Sequence, residues 1–163
     1  IYFDTKNLKT YYESVEGLVP RSKLRLRTYN FKSLNQNKFN IEIKKSVNYG
    51  RLKSSKNLEN IDNALNNGIY MKNYGFCYPK IIIKYKRIYY KLKNIRITLD
   101  KNIEFKNYDK FFEKGAFDKT CKLVVAEVKY SSLKELPEFL NKLPFEKTRF
   151  SKYCIALETL NFL

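Results

Sequence analysis

In the segment Ser22–Tyr29 a cation stands at every second position: Lys23, Arg25 and Arg27, followed by Tyr29. Alternate residues of a strand share a face, roughly 6–7 Å apart along it. The segment would therefore project three cations in one row, with Leu24 and Leu26 on the other side. Arg grips phosphate oxygens with two parallel donors, and Lys adds a point charge. The alternation recurs along the chain. Residues 38–46 set Asn40, Glu42 and Lys44 against Phe39, Ile41 and Ile43. Residues 95–100 set Arg96, Thr98 and Asp100 against Ile95, Ile97 and Leu99. In 121–130 Glu127 and Lys129 follow Leu123 and Val125 on one face, and in 80–92 Tyr85 and Arg87 follow Ile81 and Ile83. An ordinary antiparallel sheet, apolar side inward and polar side to water, accounts for each strand taken singly. It does not account for Arg recurring at i, i+2 spacing. Nor does it explain Glu127 and Arg87, which continue otherwise apolar faces. A charge so placed stands at the rim of a core or lines an enclosed polar cavity.

Few of these faces offer an acid, and Glu127 is the one flanked by Lys rather than by a clear Arg partner. Mg²⁺ and Mn²⁺ are often held by one or two carboxylates, with phosphate oxygens and water completing the shell. A lone Glu among cations fits that mode. Phosphoryl transfer rests mainly on positioning and charge neutralisation.

The whole composition agrees. The chain has 163 residues, with 33 Lys plus Arg against 16 Asp plus Glu, a formal charge of +17. Such a field concentrates anions. Histidine is absent, which excludes an imidazole base, a Ser-His-Asp triad and a His-ligated zinc within this chain. An AT-rich genome also enriches Lys and Asn, so Lys84, Lys86, Lys91 and Lys93 read as drift on a solvated exterior. The apolar share of 44% and aromatic share of 16% argue against disorder, and the length suits one domain. Cys77, Cys121 and Cys154 are too far apart for a C-x-x-C pair. They read as reduced core thiols of an intracellular, cytoplasmic protein. No apolar run approaches a membrane span, and no signal peptide is present.

The elements that would position these residues alternate between periods of 2 and 3.6. Asp4 or Thr5 would cap a helix carrying Leu8, Tyr11, Tyr12 and Val15, stopped by Gly17. A turn at Asn48-Tyr49-Gly50 leads into a short strand from Arg51 to Ser54. Ser54 or Ser55 would start a second helix, with Leu58, Ile61 and Leu65 on one face, ending at Gly68. Residues 80–92 form a strand that turns at 93–94 into 95–100, and a weaker strand follows at 103–106. Pro137 would begin a short helix to Leu143, and Ser151 a last helix. Short hairpins make the sheet mostly antiparallel. Seven or eight strands leave an open sheet, a sandwich or a closed barrel as alternatives.

Seven pieces carry a more specific pattern. They are Tyr-Phe-Asp-Thr at 2–5, Arg-Ser-Lys-Leu-Arg-Leu-Arg-Thr-Tyr at 21–29, Ile-Glu-Ile-Lys-Lys at 41–45, Tyr-Lys-Arg at 85–87, Ile-Arg-Ile-Thr-Leu-Asp at 95–100, Ala-Glu-Val-Lys-Tyr at 126–130 and Phe-Ser-Lys-Tyr at 150–153. In this order they resemble the VTC domain, named from the vacuolar transporter chaperone complex, of the triphosphate tunnel metalloenzymes or CYTH-like group. The resemblance implies a mainly β fold: a closed antiparallel eight-stranded barrel with a basic central tunnel and flanking helices, over 1–163 as one domain. The chain opens at Ile1, past the family's usual first strand with its acidic and basic residues, and so reads as trimmed of it.

In catalytic members the implied activity is transfer of the γ-phosphoryl group of ATP to growing polyphosphate with Mn²⁺ or Mg²⁺. Carried over, Arg25, Arg27, Lys44, Arg87, Lys129 and Lys152 would bind phosphate, Glu127 would hold the metal, and Tyr85 and Ser151 would add hydrogen bonds. Arg51 or Lys53 would supply a further cation, and Lys23, Arg96 and Asp100 share the inferred inner faces. The other readings are a binding-only polyphosphate domain, a triphosphatase on the same scaffold, and nucleic-acid binding. No recognition motif supports the last.

Overall fold

Alternating side chains and tight turns build one antiparallel sheet. The computed structural model describes residues 1–31, 33, 36, 38–92, 94–109, 117–130, 141, 142, 144 and 147–162. Its strands are β1 (Tyr2–Asp4), β2 (Arg21–Arg27), β3 (Phe39–Val47), β4 (Gly50–Leu58), β5 (Ile69–Met71), β6 (Gly75–Leu92), β7 (Ile95–Asn107), β8 (Lys119–Cys121) and β9 (Val125–Tyr130). The helices are α1 (Lys9–Val15), α2 (Ile61–Asn67) and α3 (Lys152–Thr159). The strand order is β4-β3-β2-β1-β6-β7-β8, with β5 on β6 and β9 on β7.

The sheet is not closed into a barrel, which corrects the expectation drawn from the family resemblance. Closure would need β4 to meet the far edge. Among the described residues β4 pairs with β3, and β8 and β9 pair with β7. Short hairpins dictate which consecutive strands are neighbours, but not whether the first and last strands join. The edge strand β4 is exposed and polar nearly throughout, the composition by which sheet edges stay unpaired.

Two cores sit on opposite faces of this sheet. Phe3, Leu24, Leu26 and Phe39 pack with Ala64 and Leu65 of α2 on one side. Ile81, Ile103 and Phe105 pack with Tyr11 of α1 and with Tyr153 and Leu157 of α3 on the other. β1 serves both, since Phe3 enters the first core while Tyr2 lies against the second. The second core fills one end of the face that carries the cations, so Ile81 and Ile83 precede Tyr85 and Arg87 as the alternation requires.

Several local expectations change. Residues 54–58 continue β4 rather than opening a helix, because α2 starts later, where Asn60 accepts a hydrogen bond from the Asn63 amide. Residues 95–100 and 103–106 are parts of one strand. The register slips by one residue between Lys84 and Lys86, and Asn102 takes a left-handed φ of 52°. This bulge in β7 moves the inward side chains from Ile103 and Phe105 to Asp100 and Thr98. The sequence pattern therefore changes phase without a turn. Residues 121–130 divide between β8 and β9. Most of the helix expected from Pro137 to Leu143, all but Asn141 and Lys142, and the turn residue Lys93 lie outside the described residues.

Helix α1 starts at Leu8 in a left-handed conformation, without a side-chain cap of its own. Asp4 supplies the cap from β1 instead, accepting hydrogen bonds from the Thr10 and Tyr11 amides at 2.9 and 3.0 Å. Thr5 Oγ1 accepts from the Lys9 amide. Both residues thus do the capping expected of them from outside the helix. Cys77, Cys121 and Cys154 are free thiols, and the first and last are buried. No helix among the described residues is long and apolar enough to cross a membrane.

Candidate phosphate-binding face

The register of β2, β3 and β4 sets Lys23 opposite Lys44, and Lys44 opposite Lys53. Like charges placed directly across strands repel. Among the described residues only Lys53 of these three reaches a carboxylate, Glu42 at 2.8 Å. Burial holds the Lys23 ammonium below its usual range. Lys44 is lowered too, first by its removal from bulk water and then by repulsion from Arg25.

One rung along, Arg25 stands opposite Glu42. Arg25 donates to the Glu42 carboxylate through Nε at 2.8 Å and Nη2 at 2.5 Å, and to the Tyr2 hydroxyl at 3.0 Å. Arg27 lies 3.9 Å from the other Glu42 oxygen and over the Tyr29 ring. Burial alone would raise the Glu42 pKa. The hydrogen bonds from Lys53 and Arg25, with the Arg25 and Arg27 charges, bring it down to about 2. Glu42 is therefore fully committed to cations.

On the other half of the face Arg87 opposes Asp100, and its guanidinium forks onto both Asp100 oxygens. Lys152 Nζ reaches Asp100 Oδ2 at 2.5 Å. These bonds outweigh burial and hold Asp100 below its ordinary range. Tyr85 lies beneath two cations, Arg87 at 5.3 Å and Lys152 at 4.9 Å from its ring centre. Ser151 is the N-cap of α3 and accepts a 2.7 Å hydrogen bond from Lys23 Nζ. The cap role expected for Ser151 holds, and its hydroxyl also faces the cations of this face through Lys23.

Glu127 differs from the other two acids. Its cations stand farther off, Lys129 at 3.5 Å and Arg87 at 4.0 Å, and its side chain is 40% exposed. It is the acid on this face that the surrounding cations leave most available.

Across a flat sheet β3 and β9 would lie five strand spacings apart, roughly 24 Å. Yet Lys44 of β3 feels the charges of Glu127 and Lys129 of β9, and Tyr85 of β6 feels Arg27 and Arg25 of β2. The sheet curls, and the two halves of the basic face look at each other across an open trough. The pattern of the VTC domain matches residues 1–161. The chain belongs to the VTC domain family. Membership places it among proteins whose function relates to polyphosphate. No curated protein matches the chain.

The curled basic face of this VTC domain carries Lys23, Arg25, Arg27, Lys44 and Lys53 on one half and Tyr85, Arg87 and Lys152 on the other, joined through Ser151, with Glu127 and Lys129 beside Arg87. Between Arg51 and Lys53, Lys53 is the one that reaches Glu42. Arg51 is exposed opposite Ser46. Arg96 is exposed and pairs with Lys129 on one side and Lys91 on the other, away from the rungs of Arg25 and Arg87. Lys91 shares that face with Arg87, so it is not on the reverse side of the sheet as its grouping with Lys84 and Lys86 suggested.

Two contributors have no role legible from sequence: Glu42 neutralises Arg25, and Tyr2 carries Arg25 on its hydroxyl. Asp4, expected only as a helix cap, also anchors α3 through Tyr153. Glu42 was visible on the correct face, but its importance depends on the register that puts it beside Arg25.

Among the described residues no group of three or more acid or Cys side chains could form a protein-made metal cage. A hard divalent ion would fit here with Glu127 as protein ligand and phosphate oxygens and water completing its shell.

Proposed function

We propose that this chain is a polyphosphate polymerase domain. It transfers the γ-phosphoryl group of ATP to a growing polyphosphate chain lying in the basic trough, with Mn²⁺ or Mg²⁺ at Glu127. The observation that carries this reading is the Lys23–Lys44–Lys53 rung. Three ammoniums in direct cross-strand register, two of them without a carboxylate among the described residues, cost stability in the free protein. An anion with closely spaced charges relieves that repulsion, and a phosphate chain has such spacing. Arg25, Arg27 and Arg87 are held in place by Glu42 and Asp100, so their remaining donors are oriented before phosphate arrives.

In the transfer step an oxygen of the acceptor's terminal phosphate bonds to the γ-phosphorus while the bond to the β-phosphate bridging oxygen breaks, releasing ADP. Arg87, Lys129 and Lys152 neutralise charge on the migrating group. A divalent ion at Glu127 supplies further neutralisation when bound.

The test is incubation of the full chain with ATP and Mn²⁺, for the native protein and for Glu127→Gln. The native protein is expected to form long-chain polyphosphate. Glu127→Gln is expected to lose turnover while still binding tripolyphosphate. Free phosphate as the only product would make it a triphosphatase. Binding with no product would make it a binding domain. Turnover surviving in Glu127→Gln would remove the metal assignment.

A further inference from the structure

β6 continues past Arg87 to Tyr89, which lies on the same face by alternation, roughly 6–7 Å farther along the strand. Register with β7 and β9 places Tyr89, Thr98 and Glu127 in one rung across that face. Tyr89 is 55% exposed. Among the described residues its ring stacks on no other ring and lies under no cation, although Tyr85, two steps of the alternation earlier, carries two. Tyr90 and Tyr130 are also exposed, but alternation puts them on the reverse face. Thr98, between Tyr89 and Glu127, is 3% exposed, and among the described residues its hydroxyl has no hydrogen-bond partner.

A free aromatic face beside a row of phosphate-binding cations suits one class of ligand part. A nucleobase stacks on an aromatic ring through its π-face, without needing a particular hydrogen-bond pattern. A nucleoside triphosphate whose phosphates lie against Arg87 and Lys152, with the polyphosphate chain along Arg25 and Lys44, has its ribose and base still to place. The second core blocks one end of the face, where Ile81 and Ile83 pack under α3. The base must go to the opposite end, where Tyr89 stands. We propose that Tyr89 is a stacking platform for the base of the donor nucleotide, next to the Glu127 carboxylate. The inference rests on the phosphate-binding reading of the trough and adds to it the part of the donor that is not phosphate.

The experiment compares ATP with inorganic tripolyphosphate, titrated into the full chain by calorimetry. The proteins are the native form, Tyr89→Leu and Tyr89→Phe. Tyr89→Leu is expected to weaken ATP about tenfold, equivalent to about 1.4 kcal/mol and within the usual range for base–aromatic stacking. Tripolyphosphate affinity should stay the same, which also reports that the fold is intact. Tyr89→Phe keeps the ring and should bind ATP within about twofold of the native protein. Unchanged ATP affinity in Tyr89→Leu would overturn the platform and leave the phosphate reading standing. Equal weakening of both ligands would also overturn it, since Tyr89 would then only shape the face. Native protein that fails to bind tripolyphosphate would overturn the phosphate reading itself, and the platform with it.

Discussion

The Tyr153 hydroxyl donates a 2.6 Å hydrogen bond to the Asp4 carboxylate, joining α3 to β1. Asp4 is fully buried and also receives the Thr5, Thr10 and Tyr11 amides. One carboxylate thus gathers β1, α1 and α3. The Tyr153 ring stacks on Tyr2, centroids 5.3 Å apart, and the Tyr2 hydroxyl receives Arg25. The residue before Tyr153 is Lys152, which delivers its ammonium to Asp100. The anchor of the C-terminal helix is therefore built into the support of the basic face.

Tyr153→Phe should accordingly lower stability by about 1–3 kcal/mol, the usual cost of leaving a buried acceptor short of one partner. For a chain of this length that is a fall of roughly 2–12 °C in Tm, read by thermal unfolding. Asp4→Ala should cost more, because it also strands the first amides of α1. A Tm unchanged in Tyr153→Phe would mean that the bond does not anchor α3.

Arg25 and Arg27 can be tested together, with Glu42→Gln as the background so that no buried carboxylate is left charged without its nearest cation. Arg25→Ala with Arg27→Ala should weaken polyphosphate binding. It should also flatten the dependence of affinity on salt, since each lost phosphate contact releases fewer counterions. Affinity measured across a salt series checks both. An unchanged slope would remove these two guanidiniums from the phosphate site.

Lys23 and Lys44 set a pH dependence. Both are held below the ordinary lysine range near 10.4, chiefly by burial. Between the lowered values and the ordinary one, the free folded protein holds fewer protons than the unfolded chain, so stability rises with pH across that window. A bound phosphate chain restores the protonated ammoniums. Binding should therefore take up protons just below the ordinary lysine range, and affinity should fall as pH rises through it. Calorimetry in two buffers of different ionisation enthalpy measures the uptake, and Lys23→Met with Lys44→Met should abolish it. The same uptake in the double variant would assign it elsewhere.

The faces were legible in the sequence because period-2 alternation is a local property. Leu24 and Leu26 are buried, and Lys23, Arg25 and Arg27 share the other side, as their spacing required. Gly68 ends α2 and Ser151 caps α3 for equally local reasons. The bulge at Asn102 was not legible, because a one-residue slip looks like the end of one strand and the start of another. The extent of β4 was not legible either. Ser54 and Ser55 are good cap residues, but pairing with β3 holds them in a strand.

Residue types and spacing by themselves determined that this protein carries rows of cations on strand faces backed by apolar side chains. They also singled out Glu127 as an acid apart. The tertiary structure decided the rest. Register placed Lys23, Lys44 and Lys53 in one rung and tied Arg25 to Glu42 and Arg87 to Asp100. Curl brought β3 within electrostatic reach of β9. The edges decided that the sheet stays open. These depend on which distant strands meet, and contacts between distant segments are settled by packing and pairing across the whole sheet. Local alternation contains no information about whether the last strand reaches the first.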